Sequence, residues 1–147
     1  MYRRERSLAL LVLLGVGLLP AGCGPHVREI RYPETGATLE GTVTYGSDHV
    51  GAALVIAQNE SGSATAFVED DGRYRLQNVP LGEVNLAVNT DAGKGQAMGK
   101  LMAQSQGKAK GAPTIIDVPA KFANPTTSGI KTTVNKGENT YDIVIPR

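Results

Sequence analysis

FVEDDGRYRLQNVPLGEVNLAVNT, residues 67–90, decides the fold. It holds two alternating stretches joined by a loop that resists helix formation. In the first, Arg73, Arg75 and Gln77 fall on one side, and Tyr74 and Leu76 on the other. In the second, Glu83, Asn85 and Asn89 alternate with Val84, Leu86 and Val88. A period of two sets one apolar row of each stretch against a core and leaves the polar row in water, the pattern of half-buried strands. Asp71-Gly72 ahead of the first strand is a tight-turn signal, because glycine reaches positive φ without a Cβ clash. Val79-Pro80-Leu81-Gly82 ends the pairing between the two, since proline has no N–H to give to a ladder.

Outward from this core the same period recurs. Residues 39–45 place Leu39, Gly41, Val43 and Tyr45 on one face, and Gly46-Ser47-Asp48 turns the chain. Residues 52–57, AALVIA, form an unbroken apolar run whose β-branched Val55 and Ile56 favour a central strand. Residues 64–69 lead into the opening stretch. On the far side, residues 114–118 form a short strand stopped by Pro119, and residues 121–129 a long turn. Residues 129–135 alternate with Ile130, Thr132 and Val134 inward. Residues 136–139 read as a hairpin turn, and residues 140–145 close the sheet with Tyr141, Ile143 and Ile145 inward. Short strands at this spacing predict an all-β fold, a single antiparallel sandwich over residues 39–147.

The run DDGRYRLQNVPLGEVNLAV resembles the DG-x-Y-x-L-x-x-(V/L)-P-x-G signature of the carboxypeptidase-regulatory-like, transthyretin-like (prealbumin-like) β-sandwich family. GTVTYGSDHVGAALVIA is similar to that family's first strand, turn and second strand, and VPAKFANPTTSGIKTTVNKGENTYDIVI to the closing segment of small envelope lipoproteins of planctomycete-type bacteria that carry the domain. The resemblance covers residues 39–145 apart from a central insertion. It implies a seven-stranded Greek-key sandwich that performs no catalysis and serves as an accessory, adhesion or ligand-presenting module.

The N-terminus reads as an address. Arg3, Arg4 and Arg6 precede SLALLVLLGVGLL, a thirteen-residue apolar run. That run is short for a permanent span, which takes about 20 apolar residues, and right for a secretory signal. It exits through Leu19-Pro20-Ala21-Gly22-Cys23, which resembles a bacterial lipobox, with Pro20 standing where leucine is usual. Residues 1–22 are therefore expected to be a lipoprotein signal peptide, Cys23 the lipidated first mature residue, and residues 23–38 a tether to the membrane. Ordinary signal cleavage nearby is the competing expectation. Cys23 is the only cysteine, so no internal disulfide or cysteine-based zinc cluster is available. These features predict a bacterial envelope location, on the periplasmic or surface face.

Residues 91–113 break the strand pattern. They hold five Gly, four Lys (Lys94, Lys100, Lys108 and Lys110) and one acid, Asp91. A structureless connection of this length is uncommon in a compact domain. It reads as a flexible insertion, with Gln96 to Gln106 able to form a weak helix through Met98, Leu101 and Met102. Its positive charge makes the four lysines candidates for meeting a partner or an anion.

Little in the composition points to other chemistry. The chain has 15 Lys and Arg against 14 Asp and Glu. The leader holds Arg3, Arg4 and Arg6 against Glu5, leaving twelve basic and thirteen acidic residues and no basic stripe for nucleic acid. His26 and His49 stand at no metal-ligand spacing, so no metal or other cofactor is expected. Glu69, Asp70 and Asp71 before Gly72 are hard oxygen ligands, but they fall short of a calcium loop. The chain ends Ile145-Pro146-Arg147, without the Y-R-G-S tail of the hydroxyisourate hydrolases that share the resembled fold, and Ser61, Ser63 and Ser128 lie in no G-x-S-x-G elbow. A Lys–Asn isopeptide bond, with Lys121 or Lys131 and Asn135 or Asn139, is a minor alternative. The leading expectation is a non-catalytic, membrane-anchored interaction module with a protein or glycan partner. The second is a small-molecule or polysaccharide-binding envelope protein, which five Tyr and two Phe, mostly in apolar rows, support poorly.

Overall fold

In the computed structural model, residues 34–107 and 115–147 are described. Strand β1 (Ala37–Tyr45) is the hub of a five-stranded sheet. On one side it pairs antiparallel with β5 (Arg73–Gln77), Thr38 opposite Gln77 and Thr42 opposite Arg73. The two-residue β2 (Asp48–His49) extends that edge, so that the Val43 N–H donates to Gly72 O at 2.8 Å while Val43 O accepts from Val50 N at 2.9 Å. On the other side, β8 (Gly137–Thr140) and β9 (Ile143–Ile145) both run parallel to β1. The second sheet has the order β4-β3-β6-β7, with β3 (Leu54–Asn59), β4 (Gly62–Phe67), β6 (Gly82–Asn89) and β7 (Ile130–Val134), all antiparallel.

The alternation read from the sequence fills the space between the sheets. The first sheet contributes Leu39, Val43, Tyr74, Leu76, Ile143 and Ile145; the second contributes Val55, Ala57, Val84, Leu86, Val88 and Val134. Loop residues Val50, Val68, Val79 and Phe122 plug the ends. β3 lies between β4 and β6, as its apolar run predicted, although only Val55 and Ala57 are fully buried and Leu54 and Ile56 are half-covered.

The structure corrects the sequence reading at four places. First, the described residues form nine strands rather than seven. Second, of residues 136–139, expected as a hairpin turn, 137–139 belong to strand β8, and the sheet it joins is not wholly antiparallel. The Asn139 side chain explains this: its Oδ1 accepts from Asn135 N (2.9 Å), and its amide donates to Asn135 O (2.7 Å) and Thr38 O (3.1 Å). A side chain thus closes the bend, and the backbone is released to cross from the second sheet to the first and follow β1. Third, of the strand expected over residues 114–118, the described residues 115–118 supply only a bridge between Gly51 and Ile115.

Fourth, the insertion, read as flexible with a weak helix over Gln96 to Gln106, holds a sixteen-residue helix, α1 (Thr90–Ser105), which begins six residues earlier. Asn89 Oδ1 accepts from Ala92 N at 2.9 Å, capping the N-terminus, and Asp91 sits in the first turn, where the helix dipole favours an acid. The packed face is made of small residues. Gly93 and Ala97 are buried, and a Cβ on Gly93 would lie 1.8 Å from Ala52 O. Met98 and Met102, expected on the inner face, are 54% and 62% exposed. No helix among the described residues is long and apolar enough to cross a membrane.

Candidate functional site

The strand directions give the sandwich two distinct ends. β1 begins at Ala37 beside the Asn78–Leu81 loop, where the Thr35 hydroxyl donates to Val79 O at 2.7 Å and Val79 N to Ala37 O at 3.2 Å. The β3–β4 turn is at this same end, since the Asn59 amide donates to Leu81 O at 3.0 Å. β6 runs away from it and delivers α1 to the opposite end, together with Ala52, Ala53 and the turn at residues 69–72. Of the residues singled out in the sequence, Cys23, His26, Lys108 and Lys110 lie outside the described residues.

Lys94 and Lys100 are placed at the α1 end, and each meets an acid. Lys94 Nζ is 2.6 Å from Asp117 Oδ1 and 2.9 Å from Asp91 Oδ1; Lys100 Nζ is 2.9 Å from Asp70 Oδ1. The Lys94 ammonium is held above its ordinary range, first by its hydrogen bond to Asp117 and then by that to Asp91. Both lysines fasten the helix to neighbouring loops as much as they offer charge to solvent. Such exposed pairs are screened by solvent and contribute little to stability.

The acidic run divides its oxygens. Asp70 turns to Lys100, while Asp71 turns to Arg73, 2.7 Å from Nε to Oδ2 and 3.1 Å from the Arg73 N–H to Oδ1. The Arg73 hydrogen bonds hold the Asp71 carboxyl below its ordinary value. Among the described residues no three His, Cys, Asp or Glu side chains are grouped as metal ligands would be.

The signature residues are built into the scaffold. Tyr74 is 3% exposed, and its hydroxyl reaches past β1 to donate to Tyr141 O, in the link between β8 and β9, at 2.7 Å. Burial, then Asp142 and Tyr141, push its phenol far above the ordinary range. Gly41 lets that same carbonyl approach, because a Cβ there would lie 1.9 Å from Tyr141 O. Ser128 is buried and donates to Leu86 O. Lys131 is exposed and pairs with Glu83 at 2.9 Å, and Lys121 lies over the Phe122 ring at 4.6 Å. Asn139 is committed to the backbone as described above and makes no hydrogen bond with Lys121 or Lys131.

Among the described residues, three concavities stand out. A groove of about 560 Å³ crosses the outer face of the second sheet, floored by Gln58, Glu83 and Asn85 and walled by Asn59–Ser61 and Pro125–Thr126. A second, of about 430 Å³, lies on the outer face of the first sheet among Glu40, Thr42, Arg73, Arg75 and Thr140. There Arg75 pairs with Glu40 at 2.7 Å. A smaller pocket of about 210 Å³ sits at the Ala37 end beside Thr35, Pro80 and Leu81. Neither sheet-face groove was foreseen in the sequence, because each is lined by segments distant along the chain. The aromatic residues are mostly directed elsewhere: Tyr74 and Phe122 are buried, Tyr45 and Tyr141 half-buried, and Phe67 is 46% exposed.

No family model matches the chain, and no curated protein does. Among solved structures it is similar to one described as "The Bacillus anthracis TIE protein", with 18% identity over 75% of this chain and a TM-score of 0.41. The chain spans 16% of that protein's length.

Proposed function

We propose that this chain is an exported, lipid-anchored envelope protein whose sandwich is a non-catalytic interaction module of the carboxypeptidase-regulatory, transthyretin-like kind. The observation that carries the reading is the way the chain enters the sandwich. It arrives at the start of the central strand, pinned by Thr35 to Val79, at the end opposite α1. In a protein held at Cys23, the residues before Thr35 would be the tether expected from the sequence. Several lipid chains on that cysteine hold a protein firmly, since each buried CH₂ contributes about 0.8 kcal/mol. The conversion of the DG-x-Y-x-L residues into turn, core and cross-strand contacts further supports a module that works through its surface.

The test is cell fractionation of the wild type and Cys23→Ser. The wild type should sediment with membranes and the variant should be recovered in the soluble fraction; equal partition of the two rejects the anchor. A second reading, a polysaccharide- or small-molecule-binding envelope protein, is favoured by the 560 Å³ groove, whose lining of amides, carboxylates and hydroxyls suits a polar ligand. Titration of the purified chain with neutral glycans, read on the amide resonances of Gln58 and Asn85, separates the two readings.

A further inference from the structure

The turn before β5 carries a chemical hazard that the fold cannot remove. Gly72 has φ +87°, and a Cβ there would meet His49 Cβ at 3.0 Å, His49 Nδ1 at 3.1 Å and Val43 O at 3.2 Å. Both the backbone conformation and the space call for glycine. Asp71 is needed as well, since its Oδ1 accepts from the Arg73 N–H at 3.1 Å and so closes the turn. The chain must therefore place an exposed aspartate directly before a glycine. That sequence is prone to rearrange, because glycine leaves its own amide nitrogen unhindered. The Gly72 nitrogen attacks Cγ of Asp71, a C–N bond forms, and the side-chain hydroxyl leaves with the amide proton as water. Water then reopens the five-membered imide at either carbonyl, giving aspartate or isoaspartate.

We propose that Arg73 guards Asp71-Gly72 as a latent isomerisation site, holding the carboxylate away from the attacking nitrogen. Four hydrogen bonds support this. The Arg73 guanidinium and its own backbone N–H grip both oxygens of Asp71, at 2.7 and 3.1 Å, and fix the orientation of Cγ. The amide proton that must leave is the one Gly72 donates to Glu69 O at 2.9 Å. The Gly72 carbonyl accepts from Val43 N at 2.8 Å, which anchors the peptide to β1. A guanidinium suits the task because its donors are set in a planar fork that matches a carboxylate. The ionised carboxylate that Arg73 favours is also the poorer electrophile. Glu69 and His49 flank the turn, and Lys100 holds Asp70 aside. Isoaspartate would carry the backbone through Cβ, adding one atom between Asp71 and Gly72 and pulling Gly72 O away from Val43 N.

The experiment follows isoaspartate at residue 71 by peptide mapping and methyltransferase labelling of the purified full chain at neutral pH. The wild type, Arg73→Gln, Arg73→Lys and Arg75→Gln are compared, each folded and in urea. The folded wild type should react at least several-fold more slowly than the unfolded chain. Arg73→Gln should recover much of that difference while folded, Arg73→Lys should fall between, and Arg75→Gln should match the wild type. Rates repeated in urea below the unfolding transition separate reaction in the native turn, which will not change, from reaction through global unfolding, which will accelerate. Equal rates for folded wild type and Arg73→Gln, equal rates for folded and unfolded wild type, or an Arg73→Gln reaction that proceeds only through global unfolding, overturn the proposal. If Arg73→Gln does not fold, a folded Arg73→Lys at the wild-type rate does the same.

Discussion

Replacing Tyr74 with Phe tests how β5 is tied, past β1, to the β8–β9 link within the first sheet. The change removes one oxygen and leaves the ring in place, so packing is conserved and the effect is that of one hydrogen bond. The lost bond is the 2.7 Å donation to Tyr141 O from a side chain 3% exposed. A typical bond contributes about 0.5–1.5 kcal/mol net, and a buried carbonyl left unpaired costs about 1–3 kcal/mol. Tyr141 is half-buried, which places the expected loss at about 1–2 kcal/mol. Urea unfolding at neutral pH should show that loss as a lower midpoint with an unchanged slope. A second arm uses alkali. The folded phenol titrates well above its ordinary value of 10.0, mainly because it is buried. Its contribution is intact below pH 10.0 and is lost as pH rises beyond it, because the unfolded chain ionises while the fold keeps the proton. Over that range the wild type should lose up to about 1.4 kcal/mol per pH unit more than Tyr74→Phe. Equal stability at neutral pH together with parallel alkaline limbs would refute a buried, hydrogen-bonded phenol.

Three further outcomes are expected. Gly93→Ala should destabilise by more than about 1–3 kcal/mol, since its Cβ would lie 1.8 Å from Ala52 O, whereas Gly95→Ala and Gly99→Ala, with nothing within 4 Å, should stabilise by up to about 1 kcal/mol; thermal melts rank all three. Ala52→Gly should be near neutral or stabilising by under about 1 kcal/mol because Ala52 sits at φ 52°, while Ala53→Gly, buried at 0% exposure without that conformation, should be destabilising by about 1 kcal/mol. Asp142 accepts from both the N–H and the hydroxyl of Thr42 at 2.8 Å, which lowers its pKa from 3.8; its contribution is present above pH 3.8 and lost as pH falls, so Asp142→Asn should flatten the acid limb of a melting-temperature profile.

The strands were legible wherever the side-chain period carried the information. Arg73 to Gln77 is a strand as read, and Tyr74, Leu76, Val84, Leu86 and Val88 all face the core. The helix was misread for a physical reason. Its packed stripe is Gly93 and Ala97, residues that let a backbone approach but give little hydropathy, so the larger Met98 and Met102 drew the inner face to the wrong side. The parallel strands were hidden because a side chain, Asn139, makes the bend that backbone signals at Lys136-Gly137 seemed to require. The lysines were visible as charge, but Asp70 and Asp117, which pair with Lys100 and Lys94, lie 30 and 23 residues away along the chain. The signature around Asp71-Gly72 indicated the turn, and only the geometry exposed what Arg73 does for it.

Intact-mass and N-terminal analysis of the protein extracted from membranes bears most directly on the proposed role. A chain that begins at Cys23 and carries two or three acyl groups is the predicted result. A soluble chain with an unmodified Cys23, or one cut at another position, contradicts a membrane-anchored module.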